Sequence, residues 1–162
     1  MISKELSATL GFAVREAKKR RHEYVSIEHI LFAILYDPTG IDIVENCGGN
    51  VENLITSIED FFEEKIERIP AGNEYVLQQT IGFQRVIQRA VNHARSAEKP
   101  EVTVSDILAS IFLEKDSHAE YFLSAEGVTR LDVLNFISHD VSKTPQGESP
   151  GESTKSAKDQ RK

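Results

Sequence analysis

The stretch RRHEYVSIEHI, residues 20–30, holds two histidine–carboxylate pairs, His22–Glu23 and Glu28–His29. Pairs of this kind raise the question of metal ligation or hydrolysis. A zinc-protease helix carries H-E-x-x-H, which sets both imidazoles on one helical face with the glutamate as base. Here the histidines stand seven positions apart, with Ser26 between them. A serine ahead of an apolar-periodic run is a helix N-cap. His22 is thus expected at the end of one helix and His29 in the first turn of the next, both at a surface corner, and the protease geometry fails. A helical-bundle enzyme or sensor that turns its histidines inward to a metal stays open, but a tight zinc site needs three or four converging ligands. The chain has no G-x-S-x-G, no paired Cys–His motif and no phosphate loop of the form G-x-x-x-x-G-K-[ST]. No catalytic residue is assigned.

Composition narrows the classes. A chain of 162 residues, 40% hydrophobic, makes one domain or two small halves packed as one. Its longest apolar runs fall well short of the ~18 residues that span a bilayer, and the N-terminus lacks a signal-peptide layout. Cys47 is the single cysteine, which fits a reducing cytosol and a packing role. The net charge is −7, against the clustered cations that nucleic acid requires. That balance also opposes a helix-turn-helix regulator. A partner with a basic contact surface is the expectation.

The elements that must position the two pairs read as helices. Leu6, Leu10, Ala13, Val14 and Ala17 form one apolar stripe at three- and four-residue steps. A second helix runs from the Ser26 cap through Ile30, Leu31, Ile34 and Leu35; a short third one stops at Gly48 and Gly49. A fourth starts at Asn50 and keeps Val51, Leu54, Ile58 and Phe62 on one side. Pro70 and Gly72 then punctuate a break. Thr80 is the expected cap of the next helix, with Phe83 in the core.

The pattern repeats after 77 residues. Ala13, Val14 and Ala17 fall on Ala90, Val91 and Ala94, and VSIEHILFAIL falls on VTVSDILASIF, Ser26 over Thr103. Without a gap, Val51 and Leu54 fall on Val128 and Leu131. The reading is an all-α fold of about eight helices, a tandem pseudo-twofold repeat of a four-helix unit. Repeat one spans 1–66, a linker 67–78, and repeat two 79–142, with Leu6, Leu10, Leu31, Ile34, Ile87, Leu108 and Ile111 largely buried. Residues 143–162, rich in Ser, Gly, Pro and charge, read as a flexible tail.

The stretches RRHEYVSIEHILFAIL, IGFQRVIQRAVNHA and RLDVLNFISH resemble the N-terminal double-repeat domain of the Clp/Hsp100 unfoldases, and within it the ClpA branch. The resemblance covers about residues 1–139. It implies a cytoplasmic bacterial module that receives substrates and docks the adaptor ClpS for an ATP-driven hexamer feeding the ClpP protease. ATP itself would belong to ring domains beyond the tail, and no cofactor, nucleic-acid or membrane contact is expected. On this resemblance Glu23 and Glu28 contact the adaptor, Thr80 borders that surface, and Arg130 and His139 map near it. It also associates zinc with the neighbourhood of His22, Glu63 and His139, although spacing assigns no ligand there and no metal is expected. From the residues alone, Glu28 is a first-turn acid that favours its own helix N-terminus by ~0.3–1 kcal/mol, and Glu23 has no local role.

Overall fold

The computed structural model describes residues 1–139; the expectations for 140–142 and for the tail 143–162 lie outside the described residues. Eight helices carry the described chain: α1 Lys4–Lys19, α2 Ile27–Ile34, α3 Pro38–Asn46, α4 Val51–Lys65, α5 Ile81–Ser96, α6 Val104–Ile111, α7 His118–Ala125 and α8 Arg130–His139. The fold is all-α, as the apolar steps require.

Helix starts come from local chemistry, and several are duplicated at a spacing of 77. Ser3 accepts the Leu6 N–H at 3.0 Å, and Thr80 accepts the Phe83 N–H at 3.0 Å. Ser26 and Thr103 open α2 and α6 with reciprocal caps, their backbone N–H groups donating to His29 Nδ1 and to Asp106 Oδ2. The ends of α1 and α5 also correspond. Arg21 and Glu98 adopt left-handed φ of 58° and 57°. The next residues, His22 and Lys99, donate back to Ala17 and Ala94. That 6→1 bond marks a Schellman stop, here made without glycine.

Each half then completes the other. Tyr24–Val25 (β1) pairs in parallel with Gln78–Gln79 (β2), a short ribbon absent from the helical reading of the sequence. Its counterpart is the bridge between Ile2 and Val102. Two residues are too few to show alternation, so the pattern had no signal for them. Helix packing follows the same symmetry: α2 meets α5 as α6 meets α1, α2 meets α7 as α6 meets α3, and α3 meets α8 as α7 meets α4.

The gapless register holds through α6 and then shifts. Gly48 and Gly127, both at positive φ, end α3 and α7 and stand 79 apart. Leu54 therefore matches Val133, both buried, while Leu131 is 65% exposed. The longer turn between α6 and α7 absorbs the difference. Of the seven expected core residues, five are fully buried; Leu10 and Ile87, equivalent across the repeat, are half-buried against the core.

Candidate functional site: the corner and its two clefts

The corner Arg20–Ile30 splits into a buried and an exposed set, which corrects the expectation of a uniformly surface-lying one. His22 and His29 are each 1% exposed. Their rings meet, Nδ1 of His22 lying 2.9 Å from Nε2 of His29. The Ser26 backbone N–H donates to His29 Nδ1 at 3.0 Å, so that nitrogen carries no proton. His29 must then donate from Nε2 to His22 Nδ1. His29 stacks on Phe62 with centroids 4.6 Å apart, and the Arg20 guanidinium lies 5.1 Å from the Phe62 ring centroid. Burial, then the Arg20 and Arg68 charges, lower the His22 pKa to about 4. Burial, then His22 and Arg20, lower that of His29 to about 3. Both rings are neutral near pH 7 and act as a buried capping pair.

This arrangement does not suit zinc. Three of the four ring nitrogens are engaged within the pair and its cap. Glu63 is exposed and forms an ion pair with Arg68 at 2.5 Å. The side chain of His139, last residue of α8, lies outside the described ones. Among the described residues no three His, Cys, Asp or Glu side chains converge.

Glu28 is also inside, 8% exposed. Its Oε2 accepts the Ala119 N–H at 2.9 Å, at the N-terminal turn of α7. The carboxylate was expected to serve its own helix; it also serves one 91 positions away, where orphan N–H groups and the helix dipole favour an anion. Glu23, by contrast, is exposed and, among the described residues, tied only through its backbone, its carbonyl accepting from Gln78 N–H at 3.0 Å. Around it the ribbon leaves apolar side chains in solvent: Tyr24 at 44%, Val76 at 78% and Ile81 at 73% exposure.

Beside this patch lies a cleft of about 510 Å³, lined by Ser26, Glu28, Thr80, Arg85 and Glu114 among others. Thr80 caps α5 at its edge, as expected. Gly82 lets α5 lie close on α2: a Cβ there would stand 2.7 Å from Ile27 Cδ1, so that side chain would have to shift. On the far wall Glu114, 8% exposed, takes a two-pronged bond from Arg85 (2.7 and 2.6 Å) and a third from Arg89 at 3.0 Å. The Arg85 hydrogen bonds hold the Glu114 pKa below the usual range. Sequence reading missed this cluster. Its one local signal is two arginines four apart on α5, a like-charge pair that calls for an anion.

A second cleft, about 280 Å³, shares Arg89 and Leu113 with the first and contains Arg130. Glu28 and Thr80 thus share one cleft, Glu23 stands at the ribbon beside it, and Arg130 lies in the neighbouring one.

The chain matches the Clp repeat N-terminal domain over residues 1–126. It is 38% identical over 151 residues to a ClpA homolog protein of Fuscovulum blasticum, covering 91% of this chain and 19% of that protein. The Hsp104 N-terminal domain from Candida albicans superposes with a TM-score of 0.70 at 12% identity, covering 82% of this chain and 85% of that one. A ClpV N-domain solved with a VipB peptide gives 0.69 at 17% identity, covering 86% of each chain. The chain spans less than a fifth of the length of the curated relatives it matches. No described helix is long and apolar enough to cross a membrane. With the eight-helix double repeat in place, the family match identifies the chain as a member of the Clp repeat N-terminal domain family, to which the N-domains of Clp/Hsp100 proteins belong.

Proposed function

We propose that this domain is the adaptor- and substrate-docking module of a ClpA-type unfoldase, that it binds a ClpS-type adaptor in the bacterial cytoplasm, and that the full-length hexamer feeds ClpP. The observation that carries this reading is Glu23, an exposed carboxylate whose side chain has no partner among the described residues, set beside the solvent-exposed Tyr24, Val76 and Ile81. Exposed apolar groups beside a charge are the makings of a protein interface. Likeness to the ClpA homolog supports the branch, and the peptide-bound ClpV N-domain supports peptide or protein ligands for this fold.

Within the reading the residues divide. Glu23 offers the charge, Thr80 and Glu28 form the adjoining cleft wall, and Arg130 extends the surface. His139 belongs to it by resemblance alone. Glu28 contributes mainly by holding α7 in place, so the two acids are not interchangeable anchors. Titration calorimetry with a purified ClpS-type adaptor tests the assignment. Glu23→Lys should weaken binding at least tenfold with an unchanged melting temperature; wild-type affinity in that variant contradicts it.

A further inference from the structure

The smaller cleft holds a feature that the adaptor reading, which takes Arg130 only as an extension of its surface, does not explain. Arg130, the first residue of α8, buries its Nε, and that N–H has no acceptor among the described residues. A buried donor left unpaired is costly. The position adds a second cost, because a cation in the first turn opposes the helix dipole. An anion in the cleft would offset the charge at the helix start, and would satisfy the Nε once the guanidinium turns toward it.

The walls say which anion. Arg89, His93 and Lys99 line the cleft with Arg130. Two of these already have partners: Lys99 is held by both Asp106 oxygens at 2.6 and 2.7 Å, and Arg89 binds Glu114. Arg89 shares Glu114 with Arg85, so Arg130 is the cleft cation with no carboxylate partner among the described residues, and a single carboxylate is its complement. The rest of the lining mixes serines with an aliphatic side made by Ala109, Leu113, Leu134 and Ile137 on α6, the turn after it, and α8, and Asp106 is present as the partner of Lys99. A volume of about 280 Å³ lies just below the usual range for small-molecule sites. It has room for a chain end with one apolar side chain, not for a folded partner.

We propose that this cleft binds the C-terminal carboxylate of a peptide whose last residue is aliphatic, the carboxylate on Arg130 and the side chain among Leu134, Ile137 and Ala109. The site stands apart from Glu23 and does not rest on the adaptor assignment. It would give the domain a direct grip on polypeptide ends.

The test uses the 162-residue chain and three synthetic peptides followed by NMR or calorimetric titration: acetyl-Ala-Leu with a free carboxylate, the same peptide as its carboxamide, and acetyl-Asp-Leu-amide. The free acid should bind at least tenfold more tightly than the carboxamide. Arg130→Gln should erase that difference, and Ala109→Leu, which fills the cleft, should weaken the acid tenfold without moving Arg130. Glu23→Lys should bind the acid as wild type does, which separates this site from the adaptor surface. Equal binding of acid and amide overturns the proposal, as does wild-type affinity in Arg130→Gln. Preference for acetyl-Asp-Leu-amide would assign the cleft to internal acidic residues and likewise overturn it.

Discussion

Glu28 and the histidine pair set the predictions at the scale of single residues. Removing the Glu28 carboxylate leaves the Ala119 N–H at a buried helix end without its acceptor, so Glu28→Ala should cost ~1–3 kcal/mol in thermal or denaturant unfolding. Glu28→Gln keeps an acceptor oxygen and should recover much of that loss. Equal stability of the alanine variant and wild type would remove the capping role. The histidines make stability depend on pH. Unfolded rings take up protons below about 6.5, whereas the folded rings stay neutral down to about 4 and about 3. The unfolded state thus binds more protons across that window, and stability must fall as pH drops. It is full above pH 6.5 and should lose up to ~2 kcal/mol per ring by pH 5. His22→Phe should remove roughly half of the pH-dependent part. Melts that coincide at pH 7.5 and pH 5 would refute the neutral pair. None of this was legible in RRHEYVSIEHI. Histidine and glutamate at a helix start look the same whether they face water or a neighbouring helix, and Glu28 finds its partner 91 positions on. The capping of Ser26 and Thr80 was legible, because it depends on contacts three residues away.

The elements show a repeat closed by exchange. Met1–Ser3 and Gln78–Thr80 are equivalent segments, and each pairs with the corner of the other half. The Val102 N–H donates to the Met1 carbonyl at 2.7 Å, and the Ser3 N–H donates to the Val102 carbonyl at 2.9 Å. Deleting Met1 and Ile2 therefore strips a backbone bond from the far half. A stability loss of ~1–2 kcal/mol is expected, with amide exchange faster around Val102 than around Val25. Uniform protection at both corners would contradict the exchange. Helix number, caps and apolar faces were readable because they follow from periods within a dozen residues. The ribbon and the two-residue register shift after α6 were not. Strands this short carry no pattern, and a turn of different length leaves the flanking apolar steps intact.

At the scale of the molecule, the symmetric scaffold carries an asymmetric surface. Repeat-equivalent positions hold His29 and Asp106, which share a capping task, whereas Glu23, Tyr24 and Ile81 decorate one corner only. The chemistry that differs between halves is the part a partner can distinguish. The acidic exposed corner was foreseen in Glu23; the basic cleft around Arg130 was not, because its walls join α8 to the consecutive helices α5 and α6 across the intervening α7. The most direct measurement is calorimetric titration of a ClpS-type adaptor into the wild-type chain and the Glu23→Lys variant at two salt concentrations, alongside thermal melts. The account predicts unchanged melting, at least tenfold weaker binding by the variant, and a salt-weakened association for the wild type alone. A Glu23→Lys variant that melts normally and binds the adaptor like the wild type would contradict it.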